Sequence, residues 1–60
     1  MKTTRHTISG SLPARELAAY LVDYSVWFEV TPLCDDEWEF RVKAEETRAL
    51  HKAIGLVGAA

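Results

Sequence analysis

Two segments in which apolar and polar side chains alternate are the feature that most constrains the fold of this chain. Residues 25–31 and 37–43 both show the alternation, and a period of two is typical of a strand with one buried face. The five residues between them, 32–36, have the length of a hairpin loop. The apolar side chains of this hairpin are Val26, Phe28, Val30, Trp38, Phe40 and Val42. We therefore expect an antiparallel pair of strands that is covered on its apolar side.

A strand and a helix are expected before this hairpin. Residues 3–9 are rich in β-branched side chains and end at Gly10, which predicts a first strand followed by a turn. Apolar residues then recur at helical spacing over residues 12–23. Pro13 fits the first turn of this helix, and Ser11 is the expected cap.

A second helix is expected after the hairpin. Glu45 and Glu46 would open it, because acidic side chains are favoured at a helix N-terminus. Gly55 or Gly58 would end it. Its apolar face consists of Leu50, Ala53, Ile54 and Val57.

The resulting order, β-α-β-β-α, predicts an α+β fold in a single domain over residues 1–60. A right-handed crossover makes the first two strands parallel, and the third strand fits antiparallel between them, which gives the sheet order 1-3-2. Both helices should cover the same, apolar face of the sheet. The open face is expected to carry Arg5, Thr7, Trp27, Glu29, Thr31, Glu37, Glu39, Arg41 and Lys43.

The length and the residue types argue against an enzyme. A chain of 60 residues buries only about 60% of the surface that it exposes when unfolded, which leaves little material for a deep pocket. His6 and His51 have no partner at metal-ligand spacing. Cys34 lies in an acidic segment, unlike the basic surroundings of reactive cysteines. We therefore expect no catalytic residue, no metal and no cofactor.

The same features predict a cytoplasmic protein. Cys34 is the single cysteine, so no internal disulfide can form. No apolar run approaches the 18 or so residues that a membrane-spanning helix requires. We expect a monomer that does not contact membranes, and its net charge of −2 argues against direct binding to nucleic acid.

The charge is concentrated around the hairpin. Residues 29–46 contain seven acidic and two basic side chains, a local charge of −5. The hairpin loop and the start of the second helix are expected to form one acidic surface, which is either a solvated surface that resists aggregation or a site for a basic partner. The candidate partner-binding residues are Trp27, Glu29, Asp35, Asp36, Glu37, Glu39, Glu45 and Glu46.

Trp27 is an unusual side chain for the expected open face. It could lie across the aliphatic stems of Arg41 and Lys43 and gain about 0.5–1 kcal/mol of cation–π attraction. Alternatively it is an interface anchor, since tryptophan is enriched at binding hot spots. Both interpretations stay open.

The segment Trp27-Phe28-Glu29-Val30 follows a strand and a helix and precedes another strand. In this it resembles the second strand of dodecins, small flavin-binding proteins of β-α-β-β order that assemble into hollow shells. The resemblance implies a flavin stacked on Trp27. The chain differs from that family in its short first helix and in its additional last helix.

A small, acidic domain without catalytic residues is also similar in kind to inhibitors made by phages and mobile elements, including anti-CRISPR proteins. This resemblance implies a host-cytoplasmic inhibitor that presents carboxylates to the basic, nucleic-acid-binding surface of a larger protein. That is the function we expect. The alternatives are a flavin-binding oligomer of the dodecin kind and a regulatory module that dimerises through its open sheet face.

Overall fold

The computed structural model describes residues 2–58, which form a three-stranded sheet and two helices. The elements are β1 (Thr3–Ser9), α1 (Ser11–Asp23), β2 (Phe28–Pro32), β3 (Glu37–Lys43), a 3-10 turn (Ala44–Glu46) and α2 (Thr47–Val57). The sheet order is β1-β3-β2, and β3 is antiparallel to both neighbours. The predicted α+β fold, strand order and bounds of β1 and β3 are confirmed.

Gly10 joins β1 to α1. It is the residue before the helix and has φ 96°, a conformation that glycine adopts readily. No side chain caps α1, so the prediction that Ser11 caps the helix is wrong, and Ser11 is instead its first residue. The backbone conformation of Gly10 turns the chain from strand to helix at this point.

The second strand begins three residues later than expected. Ser25 has φ 57° and its N–H donates to the Val22 carbonyl, so the turn that ends α1 continues into the residues predicted to be extended. The Val26 N–H donates to the Leu21 carbonyl, 3.0 Å away. Val26 is buried, although it precedes the strand. Trp27 likewise lies before β2 and not in it, which corrects its predicted place in the sheet.

Both helices lie against one face of the sheet and enclose a single core. Fully buried side chains come from β3 (Phe40 and Val42), from α1 (Leu17 and Leu21) and from α2 (Leu50). The remaining core residues are Ile8, Ala14, Val26 and Ala53. The predicted arrangement of the helices on one face is therefore confirmed. β2 is poorly covered, because α1 and α2 contact mainly β1, β3 and one another.

The second helix starts at Thr47, because a 3-10 turn takes up the two glutamates expected to open it. The Thr47 hydroxyl donates to the Ala44 carbonyl. Its oxygen lies 2.6 Å from the Thr4 hydroxyl, which therefore acts as the donor of that pair. These bonds fix the turn to the first strand. Gly58, with φ 79°, ends the helix, whereas Gly55 lies within it.

Candidate functional site

The hairpin loop presents two aspartates at the tip of the sheet. Asp35 and Asp36 have φ 59° and 58°, and the Glu37 N–H donates to the Cys34 carbonyl, so residues 34–37 form a type I′ turn. Aspartate is one of the few non-glycine residues that tolerate this left-handed conformation. Both side chains are exposed. The turn therefore points two carboxylates outward at the end of β2 and β3.

Backbone hydrogen bonds hold this tip in place. The Gly10 N–H donates to the Asp36 carbonyl over 2.8 Å, and the Leu33 N–H donates to the Glu37 carbonyl over 2.7 Å. The first bond connects the tip to the start of α1, and the second closes the hairpin. The Ser9 hydroxyl also lies 3.4 Å from a Glu37 carboxylate oxygen, a long contact. We define the acidic tip as Asp35, Asp36 and Glu37.

Glu39 extends the acidic tip onto the open face of the sheet. Its register neighbours are Thr7 on β1 and Thr31 on β2, so no cation stands directly beside it. The next row contains Arg5, Arg41 and Glu29, and within it Arg41 forms an ion pair with Glu29. Glu29 is thus partly neutralised, whereas Glu39 and the acidic tip have no ion-pair partner within residues 2–58.

Glu45 and Glu46 do not belong to the acidic tip. β3 has seven residues and separates them from the tip by roughly 20 Å at about 3.3 Å per residue. At their end of the sheet the chain also carries Lys43 and Lys2, whose carbonyl accepts a hydrogen bond from the Ala44 N–H. The expectation of one acidic surface is therefore wrong: there is an acidic tip at one end and a mixed-charge region at the other.

Trp27 is 40% exposed and lies in the connection between α1 and β2. Within residues 2–58 the one cation–π contact is that of Lys52 with the Tyr24 ring, 5.6 Å from nitrogen to centroid. The predicted cation–π contact of Trp27 with Arg41 or Lys43 is therefore not formed. Since β2 begins at Phe28, Trp27 lies at the opposite end of this strand from the acidic tip.

A shallow groove between α1 and the sheet was not predicted. It has a volume of about 190 Å³ and presents an apolar surface. Its lining residues are Ser11, Ala14, Arg15, Ala18, Val30, Trp38 and Phe40. The groove exists because β2 is poorly covered, and Val30 is accordingly 42% exposed. The Trp38 indole nitrogen is buried without a hydrogen-bond acceptor among the described residues.

Residues 2–58 lack two further kinds of feature. No group of three or more histidine, cysteine, aspartate or glutamate side chains is placed to hold a metal ion there. Neither helix in that part of the chain has the length and apolar character needed to cross a membrane.

Comparison with known proteins gives no relative for this chain. No family model, no curated protein and no solved structure matches it.

Proposed function

We propose that this protein is a non-enzymatic interaction module whose acidic tip, with Glu39, binds a basic surface of a larger protein, of the kind that holds nucleic acid. Asp35, Asp36 and Glu37 are consecutive carboxylates on a turn whose backbone is hydrogen-bonded to Gly10, just before α1, and to Leu33 across the hairpin. Exposed carboxylates on such a turn can make charge-assisted hydrogen bonds with arginine and lysine that otherwise contact phosphates. The observation that carries the proposal is the grouping of four carboxylates, those of the acidic tip and Glu39, at one end of the sheet, where none of them forms an ion pair with another described residue.

The charges nearby favour partner binding at the acidic tip over binding at Glu29, Glu45 or Glu46. Glu29 is paired with Arg41, and Glu45 and Glu46 share their end of the sheet with Lys2 and Lys43. A basic partner that approached those acids would meet repulsion from neighbouring cations, whereas Glu37 and Glu39 have only uncharged register neighbours. We therefore place the centre of the interface at the tip, and we expect the affinity to fall as salt is raised.

The test is neutralisation of the acidic tip without disturbing its turn. A triple variant removes the three charges and consists of Asp35→Asn, Asp36→Asn and Glu37→Gln. Asparagine is well suited to the left-handed conformation that both aspartates adopt. The partner would be captured from lysate at low salt and identified by mass spectrometry. Titration with the purified partner would then give the dissociation constant. We expect it to rise at least about tenfold, since each lost charged hydrogen bond is worth about 1.5–3 kcal/mol.

The matched control is the double variant Glu45→Gln and Glu46→Gln, which removes charge at the other end of β3. It should change the dissociation constant less than about threefold, because exposed charges far from an interface act mainly through screened long-range attraction. Equal losses from both variants would indicate a general charge effect and contradict a site at the tip. Full affinity of the tip variant for the captured partner would also contradict the proposal.

A further inference from the structure

From the hydrogen-bond register we infer that the free edge of β2 and the groove beside it take up an extended segment of the partner, in which basic side chains alternate with apolar ones. This inference rests on the proposed function, since it uses the same basic partner. It adds a second and different contact: backbone pairing along residues 28–32 next to the acidic tip. Addition of a strand to an exposed sheet edge is a common mode of peptide recognition.

The register shows which backbone groups of β2 are available. The Leu33 N–H points to β3, where it donates to the Glu37 carbonyl. Because N–H and C=O groups alternate in direction along an antiparallel strand, those of Glu29 and Thr31 also point to β3, and those of Phe28 and Val30 point outward. Pro32 has an outward carbonyl and no N–H. The edge therefore offers two N–H donors and three carbonyl acceptors.

The side chains beside this edge specify the pattern of the segment. Residues that face Val30 across the new pair lie on the helix side, next to the groove lined by Ala14, Arg15 and Ala18. A medium-sized apolar side chain suits this groove, whereas a basic one would be repelled by Arg15. Residues that face Glu29 and Thr31 lie on the open side. From a position beside Thr31, a lysine side chain can extend toward Glu39, which is the next residue in that row.

The charges favour a basic segment over a second copy of this chain. If two β2 strands paired antiparallel, Glu29 of one copy would face either Glu29 or Thr31 of the other, and neither supplies a cation. Acids directly opposite one another are destabilising. Charged residues and proline are also what natural edges use to prevent self-pairing, and β2 carries both. A segment with lysine or arginine at the alternate positions avoids this contact between acids. The stronger attraction is expected beside Thr31, next to Glu39, because Glu29 is already paired with Arg41.

The other edge of the sheet fits such a segment less well. β1 is contacted by α1 and is bonded to Thr47 through Thr4, so its helix side is covered. Its open-face side chains include Arg5, which would repel a basic segment.

Backbone hydrogen exchange measured by NMR on the whole protein provides the test. The probe is the acetylated and amidated peptide Lys-Val-Lys-Val-Lys, with Glu-Val-Glu-Val-Glu as its charge control. Exchange of the Phe28 and Val30 amides should slow by about tenfold when nine-tenths of the protein is bound, because exchange then proceeds from the free tenth. Exchange of the Glu29 and Thr31 amides, which already bond to β3, should change little. The acidic peptide should give no protection.

Two variants separate edge pairing from simple charge attraction. Val30→Lys places a cation beside the groove and should abolish the protection, whereas Val22→Lys, at a valine that is 64% exposed on α1, should leave it intact. Peptide binding that shifts only the acidic tip, or no binding up to the solubility limit, would overturn the strand inference and leave the proposed function standing. Protection of Phe28 and Val30 that grows with protein concentration and no peptide would assign the edge to a second copy and would also overturn it.

Discussion

β2 and β3 are partners in one antiparallel hairpin, yet they have opposite surroundings. β3 has a strand on each side and both helices above it, and its Phe40 and Val42 are fully buried. β2 has one neighbour, little helix cover and a half-exposed Val30. The difference shows that β3 supplies the core, whereas β2 leaves backbone groups and apolar surface exposed. Under the proposal above, this exposed edge is where the partner binds.

The largest expected effect on stability comes from truncating a side chain on the helix-facing side of β3, compared with the same truncation on β2. Phe40→Ala should lower the free energy of unfolding by about 3–5 kcal/mol, because it opens a cavity in a fully buried site. A domain of this length has roughly 3–9 kcal/mol in total, at about 0.05–0.15 kcal/mol per residue. Val30→Ala should cost less than about 1 kcal/mol, since much of that side chain is already in water. Urea denaturation followed by circular dichroism measures both.

Val42→Ala serves as the second variant if Phe40→Ala does not fold. Val42 is equally buried on β3 and loses fewer atoms, so it should lie between the other two in cost. Equal costs for Val30→Ala and Val42→Ala would show that β2 is as well covered as β3. That result would remove the groove and the basis for strand addition.

Local sequence pattern predicted β3 better than β2, and the reason is physical. Alternation over Glu37–Lys43 is bounded by the turn residues Asp35 and Asp36, so both its period and its start were visible. Alternation over residues 25–31 continued back across the end of α1, where the left-handed turn at Ser25 prevents extension. Glycine or asparagine at position 25 would have indicated a left-handed turn, but serine does not. The sequence therefore contains no local signal for the boundary between α1 and β2.

More of the geometry of the candidate site follows from the sequence than we predicted. The register of the hairpin, and with it the ion pair of Arg41 with Glu29, follows from alternation and loop position. The separation of Glu45 and Glu46 from the acidic tip follows from the length of β3 alone. The groove and the free edge of β2 could not be predicted, because they depend on where α1 and α2 lie over the sheet.

The next largest effect concerns the joint that holds the acidic tip against the start of α1. Gly10→Ala should lower the free energy of unfolding by about 1–3 kcal/mol, because a backbone at φ 96° and ψ 134° is strained for alanine. The added Cβ would also lie 3.2 Å from Pro13 Cδ. Gly55→Ala is the matched control: it lies inside α2 with nothing within 4 Å of the new methyl group, and it should raise stability by about 0.5–1 kcal/mol.

These two glycine variants also test the hydrogen bond that connects the acidic tip to Gly10. In thermal unfolding the midpoint should fall for Gly10→Ala and rise for Gly55→Ala. Because the Gly10 N–H is bonded to the Asp36 carbonyl, amide exchange at position 10 should quicken in the first variant and not in the second. Opposite signs of the two midpoint shifts are required; a fall of similar size in both would contradict the conformational assignment of Gly10.

The smallest expected effect is the ion pair that joins β2 to β3 on the open face. Arg41 and Glu29 are both more than one-third exposed, so their interaction should contribute about 0.2–1 kcal/mol and should weaken in high salt. A double-mutant cycle with Glu29→Gln and Arg41→Gln, measured by urea denaturation at low and high salt, gives the coupling.

Arg5→Gln is the control, since Arg5 faces Arg41 across β1 and β3 and its removal relieves repulsion. A coupling that is zero at low salt would leave β2 attached through backbone bonds and apolar contact alone, and Glu29 would then be as available to a basic partner as the acidic tip.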